Sequence, residues 1–272
     1  MPSAVQRLFD TCKEVFADVG SGAVPSPADV ERLRSALDTL KPQDVGLSRN
    51  LPLFKHASTN RPPAVTYLHL SAFPNFSIGI FCLPRTAVIP LHNHPGMTVF
   101  SKILVGSMHI KSYDWVTDPQ SPNEKIMSPS GVCSVGMFSA CLAKVNTDAV
   151  FKAPCETSVL YPTTGGNIHR FTAVTPCAVL DVLGPPYNDN EGRACTYYKE
   201  HAYLSFPDLA DVVSLAAFLV AAVLGAGDGD YVWLEAMASE PEELVVREKQ
   251  TRLAGLHVDT QKAKEFEAIK GT

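Results

Sequence analysis

The chain has 272 residues, enough for one large β domain or two small ones, and its hydrophobic fraction of 46% can fill a core of useful size. The formal net charge is −5 and no Lys/Arg cluster appears, which argues against a nucleic-acid-binding surface. Seven cysteines lie scattered without CxxC spacing, and the first twenty residues lack a continuous apolar core. The expectation is a chain without a secretion signal, with reduced thiols, in the cytoplasm and nucleus.

In chain order, Val5, Leu8, Phe9, Cys12, Val15, Phe16 and Val19 recur at helical spacing until Gly20. Ser26-Pro27-Ala28-Asp29 opens a second helix, with Ser26 as cap, Pro27 in the first turn and Asp29 completing a capping-box-like pair. Val30, Leu33, Leu37 and Leu40 form its apolar stripe, and Lys41-Pro42 ends it. Residues 3–40 are therefore expected to be a helical pair packed on the outside of the domain that the rest of the chain builds.

From Val65 the texture changes to short apolar or alternating runs. They cover 65–70, 76–83, 88–91, 98–105, 108–113, 132–145, 149–152, 158–161, 168–174, 178–182 and 196–199, with Pro, Gly, Asn and Asp between them. This pattern predicts an antiparallel sandwich or barrel. Residues 119–130 read as a polar surface loop. Residues 212–227 contain Ser214 as their single polar side chain, yet are shorter than the ~20 residues a spanning helix needs and lack basic flanks, so no membrane segment is expected. The organisation expected is 1–48 helical segment, 49–206 barrel, 207–229 apolar insertion, 230–256 C-terminal strands and 257–272 tail.

The chemistry concentrates in Pro90-Leu-His92-Asn-His94-Pro-Gly. Alternate residues of an extended strand share a face, so both imidazoles can aim at one point. Far downstream, Gly165-Gly166-Asn-Ile-His169 sets a third histidine at a strand start after a turn. An HxH pair followed by a distant GxxH resembles the two-motif pattern of the cupin superfamily, which implies a double-stranded β-helix. It departs from the commonest cupin form, where a Glu follows the second His by four or five residues; here Thr98 and Val99 stand there. Three imidazoles leave about three positions on an octahedral ion, enough for an amine, a thiolate and dioxygen. Three histidines also suit zinc.

The runs Pro90–Lys102, Met108–Trp115, Gly165–Phe171 and Asp181–Tyr187 resemble the plant cysteine oxidases, a family related to the animal 2-aminoethanethiol dioxygenase. The resemblance implies a mainly β cupin barrel carrying Fe(2+) on His92, His94 and His169. It implies an enzyme that uses O2 to oxidise an N-terminal cysteine of target proteins to cysteine sulfinic acid. That step feeds the arginine branch of the N-degron pathway in the hypoxia response, with ethylene-response transcription factors as substrates and a monomeric enzyme. Asp181 and Tyr187 fall on matching positions as catalytic residues, the first for the substrate's ammonium or its proton, the second for bound oxygen or substrate. The plainer readings are a turn-capping Asp and a rim aromatic. Cys195 and Tyr197, two apart, are possible pocket residues. His109 reads as a strand residue or outer partner, and Lys102, Lys111 and Asp114 as rim or solvent charges. Two other readings stand beside the first: a small-thiol, cysteamine-type dioxygenase, and a non-catalytic metal-binding cupin.

Overall fold

The computed structural model describes residues 3–48, 50–55, 62–118, 121–125, 140–203, 230–242 and 244–250. The apolar stretch 207–229 and the tail 257–272 lie outside the described residues, as do His56 and His257. Among the described residues no helix is long and apolar enough to cross a membrane.

The helical pair forms as the periodicity predicts. Helix α1 spans Ala4–Val15 and helix α2 spans Pro27–Asp38. Ser3 caps α1 by accepting from the Gln6 amide, and Ser26 caps α2 by accepting from Asp29. Ser26 Oγ in turn donates to the Asp29 carboxylate at 2.8 Å.

The strands are β1 (Val65–Ala72), β2 (Ser77–Leu83), β3 (Val88–Asn93), β4 (Thr98–Val105), β5 (Ser107–Trp115), β6 (Thr117–Asp118) and β7 (Ser121–Lys125). After these come β8 (Ala140–Lys152), β9 (Ser158–Leu160), β10 (Ile168–Ala173), β11 (Cys177–Gly184), β12 (Tyr198–Ala202), β13 (Tyr231–Ala236) and β14 (Val246–Gln250). Sheet A has the order β14-β1-β2-β11-β4-β9, and sheet B the order β12-β13-β8-β5-β10-β3. Among these, β2 to β5 alternate between the sheets and so do β8 to β11, with β5 and β8 paired to each other in sheet B. Within them the orders β2-β11-β4-β9 and β3-β10-β5-β8 are those of two interleaved Greek keys, the jelly roll that cupins share.

Side-chain alternation divides sheet A. Ile78, Ile80, Cys82, Phe100, Leu104, Leu180 and Val182 face outward, onto Leu8, Phe9, Cys12, Phe16, Leu33 and Leu37 of the helical pair. Val65, Leu83, Ile103, Cys177 and Val179 face inward, onto Ile89, Met108, Phe171 and Ala173 of sheet B. The helices thus cover one sheet, and the barrel interior stays available for a site.

Four expectations are modified. The two runs 132–145 and 149–152 belong to one strand in their described part, β8, because Thr147 and Asp148 continue the pairing with β5 and Asn146 is taken up as a bulge instead of a turn. The polar segment after Val116 contains a short β6–β7 ribbon. The sheet is not wholly antiparallel, since β14 lies parallel to β1 with Val65 opposite Val246. Lys102 is no rim charge: it is buried on the outward face of β4, beneath α2. Its Nζ donates to Asp38 Oδ1 at 2.6 Å and to the Cys155 carbonyl. Asp38 Oδ1 also accepts from Thr157 N and Oγ1, at 2.9 and 2.7 Å, and ties the end of α2 to the loop before β9.

Phe16 seals the helix–sheet contact. Its ring is fully buried, 6.2 Å from the Phe76 ring and 6.3 Å from that of Phe100. Phe16→Ala is expected to lower stability by about 3–5 kcal/mol. Urea unfolding checks this: the midpoint falls while the slope is unchanged.

Candidate metal centre

Strand β3 would alternate strictly were it regular. Instead the pairing with β10 shifts: His169 stands opposite His92 and Phe171 opposite Ile89, so β3 spends one extra residue. This bulge turns Leu91 outward, into a cluster with Tyr113 and Ile168, and leaves both Ile89 and His92 facing the interior. His94 follows, just beyond the strand end. The Gly165-Gly166 turn, with φ near 81° at both residues, starts β10 so that His169 points the same way.

The three histidines come together as the spacing predicts. They are buried, at 8, 3 and 4% exposure for His92, His94 and His169. One ligand nitrogen from each lies within 4.8 Å of the others, and His94 Nε2 and His169 Nε2 are 3.3 Å apart. Two nitrogens about 2.1 Å from one ion at right angles stand roughly 3 Å apart. Every outer nitrogen is engaged. His92 Nδ1 donates to the Pro90 carbonyl at 2.8 Å. The Tyr187 hydroxyl gives its one proton to the Asn93 carbonyl at 2.8 Å and so accepts from His94 Nδ1 at 2.9 Å. The His169 ring meets the Gly166 carbonyl while its Nε2 faces His94. These partners hold the proton on Nδ1 and present three Nε2 lone pairs to one point. Burial, and for His94 and His169 the neighbouring imidazoles as well, hold all three below the usual histidine range, so the rings stay neutral. The donor set fits a divalent transition-metal ion, which would settle the crowded lone pairs.

No carboxylate joins the cluster among the described residues. Val99, at one of the positions where cupins commonly place a fourth ligand, packs against Met97, Leu160 and Leu183, with Tyr187 beside them. Asp181 reaches the interior from the opposite sheet. It is 5% exposed, and burial pushes its carboxyl up to about 7, partly offset by a hydrogen bond with Ser101. Its Oδ1 has no partner. Cys195 lies within hydrogen-bond reach of the Tyr187 and Tyr197 hydroxyls, and burial pushes its thiol up. Tyr197 bridges to His92 across the free edge of sheet B, and Thr196 bonds Asn93 through both its amide and its carbonyl.

Two positioning residues escape the motif. Asn167 Oδ1 accepts from the His94 amide at 3.1 Å, and its Nδ2 donates to the His94 carbonyl at 2.8 Å. Asp114, expected as a solvent charge, accepts from the Gly166 and Asn167 amides at 2.8 and 3.2 Å. It is drawn in because the turn presents two unpaired amides at the end of β5. His109 is no outer partner of the metal; it bonds Asp148 on the exposed face of sheet B. His201 pairs with Glu235 at 2.7 Å.

A neutral three-histidine face inside a jelly roll defines a cupin-type metal centre. The family model PCO_ADO matches residues 36–253. Plant cysteine oxidase 2 of Arabidopsis thaliana is 51% identical over 242 residues, 89% of this chain and 79% of the relative. Plant cysteine oxidase 1 of the same plant is 50% identical over 244 residues, covering 89% and 76%. The human 2-aminoethanethiol dioxygenase is 30% identical over 225 residues, covering 73% and 81%. The chain belongs to the PCO_ADO family of thiol dioxygenases.

Asn167→Ala is expected to weaken metal binding roughly 10- to 100-fold while the fold is kept; titration against a competing chelator, with circular dichroism as control, measures it. The neutral rings add a pH dependence to the metal-free protein. Their folded pKa values lie below the unfolded value of about 6.5, so the unfolded chain binds more protons as pH falls. Stability of the metal-free protein should drop below about pH 6.5, and His94→Gln should flatten that slope. Thermal unfolding across pH 7 to 5 tests this.

Proposed function

We propose that the protein is an Fe(II) dioxygenase of N-terminal cysteines, adding both atoms of O2 to the thiol sulfur to give cysteine sulfinic acid. One thiol and one dioxygen give one sulfinic acid, so no reductant is consumed. The observation that carries this reading is the three-nitrogen face with apolar Val99 at the usual fourth place. A bound iron would supply the centre at which thiolate and dioxygen react; His92, His94 and His169 would hold it.

The chain's own groups do the rest. Tyr187 holds the His94 ring in orientation through its hydroxyl. Asp181, poised near neutral pH on the facing sheet, accepts a proton from the substrate or pairs with its α-ammonium. Cys195 and Tyr197 stand at the edge of sheet B beside His92 and form part of the wall. The protein substrates would be Cys-initiated regulators such as ethylene-response transcription factors, met by a monomeric enzyme in cytoplasm and nucleus. Sulfinic acid formation there would report oxygen supply to the N-degron pathway. The cysteine-oxidase relatives support this reading.

The name of the human relative makes a small aminothiol the alternative substrate. Oxygen uptake by iron-loaded protein, run side by side with a Cys-initiated peptide and with cysteamine, separates the two. The expected product is the peptide heavier by two oxygen atoms in mass spectrometry. No oxygen consumption with either thiol sinks the enzyme reading. His169→Ala should lose iron and turnover together, whereas Asp181→Asn should keep iron and lose turnover.

A further inference from the structure

One polar row crosses the inner face of sheet A in register. His69 on β1 stands opposite Gly79 on β2, Gly79 opposite Asp181 on β11, and Asp181 opposite Ser101 on β4. Directly opposed residues of antiparallel strands share a face, so this row points into the barrel. The adjoining rows are mostly apolar: Phe81, Val179 and Ile103 with Tyr67 on one side, Leu183 and Val99 with Ser77 on the other. Polar side chains in a mostly apolar interior need one another as partners.

Gly79 leaves a gap in that row, and Tyr67 fills it. Tyr67 stands opposite Phe81, with ring centroids 4.8 Å apart, and leans along the sheet over the glycine. A Cβ added at position 79 would overlap Tyr67 Cε2 and lie 2.5 Å from its hydroxyl oxygen. Only a residue without a side chain admits the ring there. The hydroxyl therefore lies over the strand position next to Asp181. The Asp181 carboxyl has Ser101 as partner on one flank, while its buried Oδ1 has none. Burial, followed by the charges of Asp181 and Glu248, pushes the Tyr67 hydroxyl up to about 12, so it keeps its proton and remains a donor.

We propose that Tyr67 is a positioning residue of the oxidation, its hydroxyl laid across Gly79 to hold the Asp181 carboxyl from the side opposite Ser101. The inference rests on the reading of Asp181 as the group that meets the substrate's amine or its proton. Asp181 Oδ1 has no hydrogen-bond partner in the structure, and a small rotation of the carboxyl toward the Tyr67 hydroxyl over the neighbouring Gly79 would fix it between Tyr67 and Ser101. Nothing is transferred to or from Tyr67; its part would be that one hydrogen bond and the fixed angle it gives the carboxyl.

The test is Tyr67→Phe, which removes the hydroxyl and keeps the ring over Gly79. Expected is a fall in kcat of about tenfold or more, the effect of losing a hydrogen bond to a charged group. The KM for the Cys-initiated peptide, the iron content and the Tm should stay near wild type. In an Asp181→Asn background the same change should cost less than about twofold, since coupled residues are non-additive. Unchanged kcat in Tyr67→Phe, with Asp181→Asn impaired, overturns this proposal and leaves the role of Asp181 standing. Normal turnover in Asp181→Asn overturns both. An undiminished further loss in the double variant shows that Tyr67 acts apart from Asp181 and also overturns it. Loss of iron or of Tm in Tyr67→Phe assigns the hydroxyl a structural role and counts against the proposal.

Discussion

Three imidazole nitrogens held close together with their lone pairs converging form an arrangement that is unfavourable until a cation joins it. The rest of the interior serves to keep it. Each outer nitrogen is tied to a group with no freedom to leave: the carbonyls of Pro90 and Gly166, and the Tyr187 hydroxyl. Burial removes the alternative of protonation, so the rings remain neutral and mutually repulsive. A metal-binding free energy is therefore partly stored beforehand in the folded chain.

That storage depends on backbone irregularities more than on regular strands. The bulge in β3 gives His92 the interior face that strict alternation from Ile89 would deny it. The left-handed glycine turn before β10 brings its amides to Asp114, and Asn167 then clamps His94 through both main-chain groups. Asn167 links the loop bearing His94 to the strand bearing His169. A polar chain from Asp114 to the turn, to Asn167 and to His94 thus runs beneath the metal centre, and every link in it is satisfied.

Much of this is legible in the sequence, for reasons that particular residues make plain. Three-four apolar spacing announces both helices, with Ser26 as cap for the second, and β4 can be read at its true ends because its whole length is apolar or β-branched but for Ser101 and Lys102. The histidine triad follows from spacing and turn chemistry, and the missing carboxylate from Thr98 and Val99. Contacts made across many residues leave no such trace. Asp114 and Lys102 look like solvent charges because an ionisable residue in an alternating run usually points outward. The wrapping of the sheet and the lid of α2 reverse that at these two positions. The parallel docking of β14 on β1 pairs residues about 180 positions apart and leaves no local signature. Tyr67 carries no signal either, since the glycine that makes room for it lies twelve residues on, in the neighbouring strand.

The division of the site between two sheets has a consequence for how such an enzyme varies. The histidines belong to sheet B and its margin, whereas Asp181 belongs to sheet A. The span between them is set by the thickness of the barrel, and that thickness is set by whichever side chains fill the space between. Val99, Ile103, Leu183 and Phe171 make up much of that filling. A methyl group gained or lost among them would change the reach between ligand face and carboxyl without touching either. Rate could thus drift between relatives through interior volume alone, while every residue that meets the substrate stays the same.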